Sequence, residues 1–450
     1  MVALCMADGF ARLTGRPQCV IVHVDVGTQM LGAAVHNASI GRCPVLIFAG
    51  LSPFTLEGEM RGSRTEHIHW LQDAHDQKQI VAQFCRYSAE IKTGKNIKQM
   101  VNRALQLATS DPQGPAYLVA AREVLEEDLV PYSLDQAVWN RIGPGALPPD
   151  AVEIIAELLV SAKEPLLITG YSGRNHTAPP ELVKLADTVP GLRILDALGS
   201  DVCFPFSHPA SLGLRIGRDE SIRIADVIVI VDCDVPWIPT QCAPRKDAKI
   251  VHIDVDPLKQ NMPVFYIPAQ HRYRADAATS FRQLHTYISS HDTYSKLLAS
   301  EPYKSRLVAL ADAHRQRLDA LAQLAAPPAD LSLAPSTHYL SSQLRQACPS
   351  DTIWCVEAVT NAMPVCEQLQ VDEPGHLYNS GGGGLGWSGG ASLGMKLASD
   401  FQAGGTGKGK FVCQIVGDGT YMFSVPGSVY WIAHRYEIPT LTIVLSNKGG

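Results

Sequence analysis

The sequence predicts an α/β protein of three successive doubly wound parallel-sheet domains, the first and last of them incomplete. Three observations carry this. Short apolar runs rich in Val, Ile and Leu alternate with helical patterns along the whole chain, as strands buried on both faces should. A length of 450 residues gives room for about three domains of ordinary size. Two links, one rich in Pro and Gly and one rich in Ala and Pro, divide the chain into thirds.

Residues 1–125 form the first domain. Its strands are CVIVHVDV (Cys19–Val26), CPVLIFAG (Cys43–Gly50) and AYLVAA (Ala116–Ala121). Residues 126–149 are a linker ending in Ile142-Gly-Pro-Gly-Ala-Leu-Pro-Pro149. The second domain, 150–290, has strands PLLITG (Pro165–Gly170), DVIVIVDC (Asp226–Cys233) and KIVHIDVD (Lys249–Asp256). A second linker, 291–335, holds a polar helical stretch (Ser305–Leu324) and an Ala/Pro run (Ala325–Pro335). The third domain, 336–450, contains DTIWCVEA (Asp351–Ala358), a glycine cluster, a buried strand (Phe411–Val416), a Gly-Asp-Gly turn, a helix, a second strand (Thr440–Leu445) and Ser-Asn-Lys-Gly-Gly. A parallel sheet ending on a strand and turn should continue, so this domain reads as cut short.

Composition excludes several classes of function. The net charge of −6 is spread among interspersed acids and bases, which predicts neither a nucleic-acid groove nor a polybasic membrane patch. No apolar run reaches the length of a membrane span. The first thirty residues carry Asp8, Arg12 and Arg16 and lack the order of a signal peptide. Eleven cysteines without a CxxC pair predict reduced thiols in an intracellular, cytoplasmic protein, with mitochondrial and peroxisomal placement also compatible.

The richest segment is the last. In a parallel βαβ unit, Asp418 and Asn447 return to the carboxyl ends of neighbouring strands and reach one point at the ligand-binding edge. A carboxylate and an amide oxygen suit Mg²⁺ that also holds phosphates. Gly417 and Gly419 let backbone approach a diphosphate. A rival pattern is Gly384-Leu-Gly-Trp-Ser-Gly389, a literal GxGxxG. The residues before it, GHLYNSGG, are a poor apolar strand, and no acid follows at the distance a dinucleotide site needs. His67, His69 and His75 with Asp73 could suggest zinc, but no cysteine or fourth ligand lies nearby. His36 and Asn37 read as helix capping and packing.

These segments resemble the thiamine-diphosphate family that includes acetolactate synthase, benzoylformate decarboxylase and 2-hydroxyacyl-CoA lyase. The signature is GDG followed by an Asn-containing turn after an apolar strand. MADGFARLTGRP (Met6–Pro17), ADVIVIV…AKIVHIDVDP (Ala225–Pro257) and GGGLGWSGGASLG (Gly382–Gly394) fall in family order. The resemblance implies a pyrimidine-binding, a middle and a diphosphate-binding domain. It implies thiamine diphosphate and Mg²⁺ as cofactors, with Asp418, Asn447 and the carbonyl of Gly449 as metal ligands and Gly417, Gly419 and Thr420 beside the diphosphate. Leu385 would wedge the cofactor's two rings into a bend, and the Gly383 carbonyl would accept a bond from the cofactor's amino group. Gln29, His67, His69 and Gln72 become substrate-side candidates, although DVGTQM departs from the common GPGATN. FAD is not expected, because no arginine follows the VIVIVDC strand.

By resemblance the activity is making or breaking the bond beside the carbonyl of a small 2-oxo acid. An acetolactate-synthase-like carboligase is favoured, with a 2-oxo acid decarboxylase or 2-hydroxyacyl-CoA lyase as the alternative. The cofactor would lie between subunits of a homodimer or homotetramer. The family's activating glutamate stands eight residues before the Asp of the ADG motif, here Asp8, which falls just ahead of Met1. The chain as written is therefore expected to be inactive, and a noncatalytic partner of intact homologues is the reading from another class.

Overall fold

A computed structural model describes residues 1–330, 332 and 334–446. It contains three sheets. The first has strands β1 (Gln18–Val22), β2 (Val45–Leu51), β3 (Tyr87–Ile91) and β4 (Ala116–Ala121) in the order β1-β2-β4-β3, every pair parallel. The second has β5 (Pro165–Thr169), β6 (Arg193–Asp196), β7 (Ser211–Leu214), β8 (Val227–Val231), β9 (Lys249–Asp254) and β10 (His271–Arg274). Its order is β10-β9-β8-β5-β6-β7, again all parallel. The third has β11 (Ile353–Glu357), β12 (Leu377–Asn379), β13 (Val412–Gly417) and β14 (Leu441–Leu445) in the order β12-β11-β13-β14, with β13 and β14 parallel. The three α/β sheets are those the apolar runs predict: every residue of β4, β5 and β8 is buried.

The chain separates into two compact units. One takes residues 1–143, 355–357 and 380–450, the other 144–354 and 358–379. In the first unit, the opening helix Val2–Thr14 ends at Gly15, whose left-handed φ of 68° lets its N–H reach the Ala11 carbonyl. This helix packs on Trp387–Gln402 so closely that side chains are excluded at the crossing. A Cβ on Gly9 would stand 2.2 Å from the Ala391 carbonyl oxygen, and one on Gly394 would stand 2.0 Å from that of Met6. Arg12 is buried there, 4.0 Å from Asp8 and stacked 5.0 Å over the Trp387 ring. The segment after the first domain is fastened along the Ile97–Thr109 helix at one-turn spacing. Lys98 N–H donates to Tyr132 Oη, Asn102 Nδ2 to Gln136 Oε1, and Gln106 Nε2 to the Asn140 carbonyl.

In the second unit, Leu167, Val229 and Val251 from the sheet meet Ile155 and Leu159 of the Pro149–Ser161 helix and Phe281 and Leu284 of the Ala277–Ser290 helix in one core. Asp276 caps the latter, accepting the Thr279 N–H at 2.8 Å. The polar stretch after it is a helix, Tyr303–Leu324.

Two sequence readings need correction. The run Cys19–Val26 is not strand throughout: β1 stops at Val22, and Asp25, at φ 44° and ψ −77°, turns the chain out of the sheet. The residues before the glycine cluster do include a strand, the short β12, which periodicity cannot reveal in three residues; the neighbouring Trp354 N–H donates to the His376 carbonyl at 2.8 Å.

Candidate cofactor site

Asp418 follows directly on β13. The register pairs Gly417 with Leu445, so Asp418 and Ser446 leave the sheet side by side at its carboxyl edge. Ser446 Oγ donates to Asp418 Oδ2 at 3.1 Å, and the Gly419 N–H donates to Oδ1 at 2.8 Å. Among the described residues nothing stands within 4 Å of where a Cβ on Gly419 would be. Thr420 is buried. Asn447 and Gly449 lie outside the described residues. The Pro426-Gly427 pair opens the next helix, Pro426–Arg435, with Pro in the first turn.

Glu357, the last residue of β11, holds the start of the following helix, a role that the sequence reading missed. Its Oε1 accepts N–H bonds from Gly386 and Trp387 at 3.0 and 3.2 Å, and its Oε2 accepts from Ser388 at 2.7 Å. Burial raises its pKa, while those bonds oppose the rise. The carboxylate thus satisfies the orphan donors at the start of the Trp387–Gln402 helix. This disposes of the dinucleotide reading of Gly384–Gly389, because the N–H groups that would cradle a pyrophosphate are already committed.

The loop before that helix is seated on the Gly32–Ile40 helix. Asn37 is fully buried, and both ends of its amide are used on one residue: Nδ2 donates to the Gly384 carbonyl at 2.6 Å, and Oδ1 accepts the Gly384 N–H at 2.9 Å. His36 Nε2 accepts the Gly383 N–H at 3.3 Å. Gly383 itself meets nothing within 4 Å of a Cβ position, and Leu385 is half-buried. His36 and Asn37, read from the sequence as capping and packing residues, are the seat of the glycine loop.

The other candidates sit elsewhere in the same unit. Gln29 is exposed and donates to Asp25 Oδ1 at 2.9 Å. Gln72 is buried, and its carbonyl accepts from Ser52 Oγ at 3.2 Å. His67 precedes the short helix Ile68–Leu71, and His69 Nδ1 accepts the Thr65 N–H. No hydrogen bond or ion pair among the described residues joins these four to Asp418 or to the glycine loop. Gln77 went unnoticed in the sequence although it organises this region. It is buried, its Oε1 accepts the N–H of the twisted Asp25, and its Nε2 donates to the Gly50 carbonyl, Tyr117 Oη and Thr28 Oγ1. Among the described residues no group of three His, Cys, Asp or Glu could hold a metal ion. That removes the zinc reading of His67, His69 and His75. A cation at this chain's strand edge must instead use one carboxylate with amide, carbonyl and ligand oxygens, the hard donor set Mg²⁺ takes. The carboxylate at a glycine-flanked turn fits such an ion and the phosphates it carries.

Parallel sheets with a carboxylate at a glycine-flanked strand edge define an α/β protein whose edge has the donor chemistry for an ion-bound phosphate. The comparisons with known proteins give the family. Residues 1–80 match the N-terminal TPP binding domain of thiamine pyrophosphate enzymes, 152–284 the central domain, and 358–449 the C-terminal TPP binding domain. The chain belongs to the thiamine pyrophosphate enzyme family. It is similar to benzoylformate decarboxylase of Pseudomonas aeruginosa, 23% identical over 98% of this chain and 76% of that protein. It is also similar to 2-hydroxyacyl-CoA lyase 2 of Mus musculus, 23% identical over 100% of this chain and 72% of that one. Among solved structures, the thiamine diphosphate-dependent 4-hydroxybenzoylformate decarboxylase of Rhodococcus jostii RHA1 matches with a TM-score of 0.76 at 20% identity, covering 99% of this chain and 77% of that chain. At that identity the likeness is one of fold.

Proposed function

We propose that this chain serves, by itself or paired with an intact homologue, an acetolactate-synthase-like carboligation of 2-oxo acids, in which the bond beside the keto carbonyl breaks and the acyl unit joins a second carbonyl, with thiamine diphosphate and Mg²⁺ bound at the Asp418 edge. The observation that carries the reading is the Asp418 carboxylate, held by Ser446 at the carboxyl end of β13 beside Gly419. Asp418 is the anionic ligand for the ion, with Asn447 and the Gly449 carbonyl completing the protein's share. Gly417, Gly419 and Thr420 border the diphosphate, and Gly383 and Leu385 border the rings. When bound, thiamine diphosphate supplies the carbon nucleophile and the electron sink for the departing carboxylate. The protein's part is to orient the cofactor and exclude water.

The exposed apolar residues Trp70, Leu71, Met422, Phe423 and Trp431 of the first unit support assembly as a homodimer or homotetramer. Eleven free cysteines support a reducing, intracellular setting. Among the described residues no helix is long and apolar enough to cross a membrane.

The test is calorimetry with thiamine diphosphate in the presence and absence of Mg²⁺, followed by single-turnover release of labelled CO₂ from a panel of 2-oxo acids. Mg²⁺-dependent binding is the expected result; where label is released, an acyloin product supports the carboligase and an aldehyde without acyloin moves the assignment to a decarboxylase. Binding without label from any acid is the outcome that the activator spacing to Asp8 predicts for the chain as written. Binding indifferent to Mg²⁺ would overturn the reading.

A further inference from the structure

The glycine run before Leu385 looks in sequence like backbone cleared for a ligand. Most of it is cleared for the protein itself. A Cβ on Gly381 would stand 2.4 Å from Gly41 Cα, one on Gly382 would stand 2.8 Å from His36 Nε2, and one on Gly384 would stand 2.6 Å from the Ala33 carbonyl oxygen. Distances under 3 Å to backbone admit no side chain at Gly381 and Gly384, and at Gly382 the His36 ring would have to move, so the three positions are pressed onto the Gly32–Ile40 helix and its end. Gly383 alone in the run faces open space.

Leu385 lies between two pinned residues. On one side Gly384 is held by both amide atoms of Asn37. On the other, Gly386, at φ 95°, gives its N–H to Glu357. The Asn37 amide is fully buried and the Glu357 carboxyl nearly so, so neither pin is weakened by competing water. His36, whose ring meets Phe84 edge-on at 5.6 Å, adds a longer bond to Gly383.

We propose that Asn37 is a positioning residue for the cofactor's rings. By clamping Gly384 against the first domain's helix, it sets the height of the Gly383 carbonyl and the Leu385 side chain, while the Asp418 edge holds the diphosphate independently. This rests on the reading that thiamine diphosphate is the ligand. It goes beyond that reading because it splits the cofactor's hold into two separable parts and gives the ring part to a residue that touches no cofactor atom.

The separation makes the test. The affinities of the whole chain for thiamine diphosphate and for inorganic pyrophosphate, each with Mg²⁺, are compared by calorimetry in the parent and in Asn37→Ala. Loss of a doubly bonded buried amide should weaken thiamine diphosphate about tenfold and leave pyrophosphate within about twofold. Asn37→Asp preserves volume but sets a carboxylate oxygen against the Gly384 carbonyl. It should reproduce the selective loss and carries the test if the alanine variant unfolds; His36→Ala should show a smaller loss of the same kind. Equal losses for both ligands, or none for either, would overturn the proposal. A parent chain that binds neither ligand would instead sink the functional reading, so the two failures are distinguishable.

Discussion

Two strand edges in this molecule carry acids at the carboxyl ends of parallel strands, and they treat them in opposite ways. After β13, Asp418 is met by one hydroxyl and one peptide N–H. In the second unit, the strand order reverses between β5 and β8, the place where open α/β sheets usually take a ligand. There Lys259, almost fully buried, reaches Asp234 at 2.7 Å and the wholly buried Asp254 at 2.5 Å, and Tyr171 Oη donates to Asp234 at 3.1 Å. The lysine belongs to the protein and neutralises the acids internally. At the Asp418 edge the acid instead accepts from a hydroxyl and a peptide N–H. One topology therefore carries strand-end acids tied to a lysine in one place and to hydroxyl and backbone groups in another.

Breaking the closed edge should have the largest effect. Lys259→Met leaves Asp254 and Asp234 without their cation and should cost about 3–5 kcal/mol of stability, measured by urea unfolding. A loss below about 1 kcal/mol would mean that the acids find water and the edge is open after all. At the other edge, Asp418→Ala should weaken Mg²⁺-dependent binding of thiamine diphosphate by about 100-fold or more, since the carboxylate proposed for the ion is gone. Calorimetry decides it, and an unchanged affinity would contradict that role.

The smallest effect comes from an acid of the middle sheet that has no lysine. Burial pushes the carboxyl of Asp196, at the end of β6, up to about 7, although the N–H groups of Gly199 and Leu198 oppose the shift. The folded state therefore holds this proton longer than the unfolded chain does. Stability is lost as pH rises from about 4 to about 7 and is flat on either side. Asp196→Asn keeps an acceptor for both N–H groups and removes the titration. It should gain stability at pH 8 and little at pH 4. Equal gains at both pH values would show that packing, and not ionisation, separates the two side chains.

How much of the site was legible follows from how local its signals are. Asp418 could be picked out because its strand, turn and glycines are contiguous and the parallel crossover fixes where the chain returns. Asn37 could not, because its partner lies 347 residues away and nothing in VHNAS marks an amide that reads a distant peptide. Glu357 sits at the end of a strand the sequence shows plainly, yet its role as acceptor for the helix start depends on β11 lying beside that helix. The glycine cluster misled for a related reason: small size says that something comes close, not what. The close approach at Gly381, Gly382 and Gly384 is to the protein itself.

Sequence by itself determined the α/β class, the central strands and the family, because strands buried on both faces and turn motifs write their periods into neighbouring residues. Tertiary structure alone decided which acids are neutralised from within, which glycines are pressed against the protein itself, and which buried amide holds the loop. Those choices rest on charges and hydrogen bonds between residues far apart in the chain, and such pairings leave no local pattern to read.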